Sequence, residues 1–121
     1  MAQYEAQARS TETFGRVLCN ARNHHFVADG PAQNGCPGEA ITPAELFLSS
    51  VAACGVELMQ VIARKKKLPL AAASVAISGM VDRSKQARPD FTLFNSIRLQ
   101  FRLKGVTDEQ GAEIIEIFQG R

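Results

Sequence analysis

The strongest constraint on this chain is one long segment with no helix breaker inside it. Thr42-Pro43-Ala44-Glu45 opens it, with Thr as N-cap, Pro at the first helical position, and Glu reaching back from three residues on as a capping box. No breaker follows until Leu68-Pro69, and the last turn, Arg64-Lys65-Lys66-Lys67, sets positive charge at the negative end of the helix dipole. The spacing predicts a helix of about 25 residues, roughly 37 Å long at ~1.5 Å per residue. A globule of 121 residues has a radius of gyration of about 14 Å and a diameter of roughly 35 Å, so such a helix crosses the whole subunit. Its first half is apolar nearly all round: Phe47, Val51, Cys54, Leu58 and Val61 make one stripe, and Leu48, Ala52, Gly55, Met59 and Ile62 the adjacent one. One small sheet covers only one side. The other side calls for a second copy, with Ala52, Ala53 and Gly55 permitting close helix approach, and an obligate homodimer is expected.

The flanking segments read as strands. Tyr4 to Ser10 and Phe14 to Ala21 alternate with a period of two, the second placing Val17, Cys19 and Ala21 on one face, and His25 to Ala28 forms a third strand that stops at Asp29-Gly30-Pro31. Gly30 to Ala40 has no period and is the longest loop. After the helix, Ala73 to Val81 alternates, Asp82 to Asp90 is an exposed turn, and Phe91 to Leu103 is a long strand with Ile97, Leu99, Phe101 and Leu103 facing inward. Thr107-Asp108-Glu109-Gln110 is a second capping box, opening a helix with Ile114, Ile115 and Phe118 on its apolar side and Gly120 as its stop. The order strands, long helix, strands, helix is an α+β fold, expected as one domain over residues 1–121.

Composition removes whole classes of function. Hydrophobic residues at 45% and charged residues at 21% exclude disorder, and 14 Lys+Arg against 12 Asp+Glu leave +2, short of the basic excess that phosphate-backbone binding leans on, so no nucleic-acid partner is expected. No unbroken run of ~18 apolar residues exists and the first residues resemble no signal peptide. The expectation is a cytoplasmic protein without a membrane partner. Three cysteines, at 19, 36 and 54, form no C-x-x-C and are expected as free thiols.

Each chemical candidate has a plain structural reading beside it. Cys54 lies among small residues that leave room for a ligand beside its sulfur, yet free Cys is most often a buried small hydrophobe. An ordinary thiol is only ~3% ionised at neutral pH, so a reactive Cys54 needs a nearby cation. The helix does not supply one, which leaves Arg16 or Arg22 in the early strands; a guanidinium at about 4 Å contributes roughly 4 kcal/mol at an effective dielectric of ~20. Glu57 is either a catalytic acid or a paired helix-face acid. Cys19 reads as packing, and Cys36 as an incidental loop residue or a resolving thiol. His24 and His25, adjacent on a strand, point to opposite faces and cannot share one ion, and Arg64 to Lys67 reads as a solvated helix end. No metal or resident cofactor is expected.

The segment Thr42 to Gly55, TPAELFLSSVAACG, preceded by His25-Phe26-Val27-Ala28-Asp29-Gly30-Pro31 and followed by Glu57-Leu58-Met59, resembles the OsmC/Ohr family of osmotically inducible and organic hydroperoxide resistance proteins. The resemblance runs through the whole chain in element order and is specific at Pro-x-Glu-Leu and Ala-Ala-Cys. It implies an intertwined homodimer of α+β subunits, with antiparallel sheets wrapping a long central helix and active sites at the subunit interface. It also implies reduction of organic hydroperoxides, with an external dithiol as reductant, and Cys54 matches the peroxide-attacking cysteine. Two positions depart from the family pattern. The Glu that pairs with the activating Arg falls at Ala44, with Glu45 one residue along and about 100° around the helix. The resolving cysteine would follow the last helix, where this sequence reaches Gly120-Arg121, so either the sequence is truncated or the second thiol is absent. Two functions stand: a thiol-dependent hydroperoxide reductase using Cys54, Arg16 or Arg22, and Glu45; or a non-catalytic module that binds an apolar or lipid-like molecule in the dimer cleft.

Overall fold

A computed structural model of the chain describes residues 2–88 and 92–120. Two compact units emerge, Met1–Phe47 and Leu48–Arg121. The first carries an antiparallel sheet of β1 (Gln7–Ser10), β2 (Arg16–Ala21) and β3 (His24–Asp29) in the order β1-β2-β3. β1 begins later than the alternation from Tyr4 suggests, and Phe14-Gly15 belong to the turn before β2, where Gly15 adopts φ 81. A two-residue turn, Arg22-Asn23, joins β2 to β3 and sets a register that pairs Ala21 with His24 and Arg16 with Asp29. That last pair matters for the site.

Helix α1 (Pro43–Lys65) begins in the first unit and continues through the second. Its start is the expected capping box: the Glu45 N–H donates to Thr42 Oγ1 at 3.3 Å, and Glu45 Oε1 accepts from the Thr42 N–H at 3.0 Å. Its end falls before the lysine run is finished. Lys67 takes φ 56, and the Leu68 N–H donates to Ala63 O at 2.8 Å while the Lys67 N–H donates to Arg64 O at 3.2 Å, a Schellman closure with lysine where glycine is usual. One 18-residue window of α1 has a mean hydropathy of 1.8 and is 22% buried, so by length and composition alone this helix could span a membrane, although no apolar run in it is unbroken.

In the second unit β4 (Ala72–Met80) and β5 (Ser96–Lys104) form an antiparallel pair, followed by α2 (Asp108–Gln119). β5 is shorter than the expected strand. Residues 92–95 leave the ladder because Asn95 is committed to the connection, its N–H donating to Met80 O and its Nδ2 to Lys85 O, both as short contacts of 2.8 and 2.9 Å. Phe91 and the end of the expected turn, Pro89-Asp90, lie outside the described residues. Thr107 and Gln110 close the second capping box at 3.0 and 3.1 Å. The core is Met59, Ile62 and Ala63 of α1 with Ile114 of α2, closed by Val75, Phe101, Leu103, Ile117 and Phe118. Met59 and Ile114 are fully buried, which stabilises by ~1.5–3 kcal/mol each. Ile117 rather than Ile115 completes the α2 face, as a spacing of three residues from Ile114 requires.

Candidate functional site

Cys54 belongs to the second unit, where the α1 surface turns from core to solvent. Gly55, Met59 and Ile62 make the buried stripe, and Cys54 stands about 100° around the helix from Gly55, with its side chain exposed. It lines an open hollow of about 390 Å³ together with Ser50, Val51, Gly55 and Leu58 of α1 and Phe118 of α2. Phe118 is fixed by an edge-to-face contact with Phe101, ring centroids 5.5 Å apart at 70°. Apart from the Ser50 hydroxyl the walls are hydrocarbon, so the hollow offers apolar surface to a ligand and a sulfur at its edge. Glu57, three residues on, lines a different depression, of about 400 Å³, with Gln60 and Arg64.

Arg16, Arg22 and Glu45 belong to the first unit. Arg16 is held from two sides. Its Nε donates to Asp29 Oδ1 at 2.8 Å and its Nη2 to Asp29 Oδ2 at 2.9 Å, a side-on fork between cross-strand partners, and Nη2 also donates to Glu39 Oε1 at 3.0 Å. The Asp29 side chain is fully buried, and its Oδ2 accepts further bonds from the backbone N–H groups of Glu39 and Ala40 at 3.0 and 2.9 Å. The hydrogen bonds from Arg16 dominate and, with the two backbone donors, hold the Asp29 carboxyl well below the usual carboxylate range despite its burial. Among the described residues the Arg16 Nη1 makes no hydrogen bond, so one edge of a clamped guanidinium stays available. Arg22 is an exposed turn residue at φ 54. Glu45 serves the helix start, and the Thr42 backbone and hydroxyl donors lower its pKa.

The other candidates are placed as follows. Cys36 is half-buried, and its side chain fills the space that a Cβ on either Gly15 or Gly30 would occupy, which seats the loop against the β2–β3 hairpin. Cys19 is half-buried in β2. His24 and His25 are exposed, and no group of three metal-capable side chains occurs among the described residues. Sequence reasoning missed Asp29 and Glu39. Counting back from the Arg22-Asn23 turn pairs Arg16 with Asp29 and would have found the first; Glu39 sits in a loop with no period to place it.

A model of the OsmC-like protein family matches residues 36–120, well over half of the chain and including Cys54. The chain belongs to the OsmC-like family. Solved structures agree on the fold. An OsmC-like protein from Mycoplasma pneumoniae superposes with a TM-score of 0.80 at 16% identity, covering 99% of this chain and 82% of that one. An organic hydroperoxide resistance protein from Elizabethkingia anophelis gives 0.77 at 16% identity over 98% and 81%, and the organic hydroperoxide resistance protein OsmC from Legionella pneumophila gives 0.73 at 18% over 98% and 82%. At these identities the likeness establishes the α+β OsmC/Ohr fold and nothing finer. No curated protein matches this OsmC-like chain significantly.

Proposed function

We propose that this OsmC-like chain reduces organic hydroperoxides through the Cys54 thiol and works as a homodimer. The observation that carries the reading is an exposed sulfur at the edge of an apolar hollow built by Val51, Leu58 and Phe118. An alkyl hydroperoxide would bury its chain there and present its O–O bond to the sulfur. The thiolate attacks the outer oxygen, the O–O bond breaks, and the departing alkoxide takes a proton to become the alcohol while sulfur is oxidised to the sulfenic acid. An external dithiol then condenses with the sulfenic acid, releasing water, and its second thiol displaces Cys54 from the mixed disulfide, which restores the thiol and carries the dithiol off as a disulfide. The chemistry calls for no resident metal or organic cofactor.

Two further features support it. Of the two arginines available as activating cations, Arg16 is the preorganised one, held by Asp29 and Glu39 with Nη1 left to donate. The stripe bearing Cys54 stays open in the single chain, with Phe47 52% exposed and Val51, Leu58 and Val61 only half-buried, which favours a second copy over it. The test is consumption of cumene hydroperoxide with dihydrolipoamide as dithiol. Turnover that disappears in Cys54→Ser is expected; turnover that survives it, or none in the native protein, refutes the proposal.

The binding-module reading has an observation of its own. Two carboxylates share one guanidinium, so the Arg16 cluster carries net negative charge, a poor partner for a thiolate. On that reading native mass spectrometry finds an apolar ligand retained by the dimer and no peroxide turnover.

A further inference from the structure

The two faces of the β4–β5 ladder carry opposite chemistry. One packs on the helices through Ala73, Val75, Phe101 and Leu103. The other presents Arg98, Arg102 and Lys104 in a row, all exposed and spanning roughly 20 Å of strand at ~3.4 Å per residue. Across the ladder from these three stand Ser78, Ser74 and Ala72, too short to shield them and without charge. Among the described residues none of the three cations is in an ion pair. The acidic residues Asp108, Glu109, Glu113 and Glu116 are gathered on α2, so the net charge of +2 hides a strongly divided unit. At the Arg98 end of the row the chain leaves Met80, Val81 and Leu93 exposed at 65%, 44% and 47%, and Met80 and Arg98 border one open hollow of about 330 Å³.

We propose that this face docks the protein on an anionic lipid bilayer. The three cations lie against headgroup phosphates while Met80, Val81 and Leu93 enter the interface beside them. A basic row with an apolar tip suits a surface that is charged outside and hydrocarbon beneath. Single-stranded nucleic acid fits less well, because the row carries no aromatic side chain on which bases could stack. The inference stands independently of Cys54 and its chemistry.

The test is flotation of the full chain with vesicles of phosphatidylcholine, alone or with about one-third phosphatidylglycerol. Binding to the anionic vesicles only is expected, weakening as salt rises. Each of Arg98→Gln, Arg102→Gln and Lys104→Gln lowers the partition coefficient about fivefold, and the triple substitution about 100-fold. Met80→Ser weakens binding without changing its salt dependence, and Cys54→Ser leaves it unaltered. Equal partition onto both vesicle types, or undiminished binding by the triple variant, overturns the proposal. So does binding of oligouridine that depends on the three cations in a protein that ignores vesicles.

Discussion

Replacing Gly55 with alanine separates what the fold needs from what the proposed chemistry needs. Gly55 is buried inside α1, and a Cβ built on it meets Phe118 and Val75 at 3.7 Å, ordinary van der Waals distance, so the methyl group fits without displacing either side chain. A helix-interior glycine costs about 0.8–1.0 kcal/mol relative to alanine. The added methyl also gains some of the ~0.8 kcal/mol of a buried CH₂, so Gly55→Ala stabilises by about 1–1.5 kcal/mol. An unfolding entropy of ~2.1 cal/mol/K per residue over 121 residues makes ~1 kcal/mol worth about 4 °C, and Tm should rise by roughly 4–6 °C in a thermal melt at fixed protein concentration. The same methyl narrows the hollow beside Cys54. Peroxide turnover should therefore fall through a higher KM for bulky hydroperoxides while stability rises. A variant less stable than the parent by 1 kcal/mol or more would refute the reasoning, because it would mean that something else occupies the space in front of Phe118.

Three shorter predictions follow from other elements. Lys67→Gly relieves a left-handed lysine at the end of α1 and should stabilise by about 0.5–1 kcal/mol, whereas Lys66→Gly, one residue earlier, should not; equal shifts in urea melts would contradict the Schellman closure. Asp29 is held below its ordinary value near 3.8, so its contribution is present above that pH and is lost as pH falls through the lower, folded value. Asp29→Asn should thus be less stable than the parent at pH 7, and the gap should narrow below about pH 4; a gap that stays constant with acid refutes the pairing. The proposed chemistry needs a Cys54 sulfur that small molecules reach, whereas Cys36 is seated against Gly15 and Gly30, so brief alkylation read by peptide mass spectrometry should label Cys54 before Cys36 or Cys19. Faster labelling of Cys36 would show that it is not seated against Gly15 and Gly30.

Much of this was legible in the sequence because local rules and packing agree there. Both capping boxes form as Thr42–Glu45 and Thr107–Gln110 announce, and the alternation of Leu99, Phe101 and Leu103 picks out the buried face of β5. Two boundaries were missed: Asn95, bonded across the connection to Lys85, delays the start of β5 to Ser96, and Lys67 ends α1 in a left-handed conformation that lysine rarely adopts. The Arg16 clamp escaped because Asp29 reads locally as a strand stop beside Gly30-Pro31, and only hairpin register brings it opposite Arg16. Ile97 was expected inside and is 39% exposed, while Gly79 across the ladder from it lies against Phe94 and Leu48 of α1. The divided charge of the second unit was invisible to a net charge taken over the whole sequence.

The most direct test of peroxide chemistry at Cys54 is to mix the reduced protein with one equivalent of cumene hydroperoxide, trap with dimedone, and map the adduct by mass spectrometry. The account predicts dimedone on Cys54 and an equivalent of cumyl alcohol. Hydroperoxide left intact, or an adduct confined to Cys19 or Cys36, would contradict it.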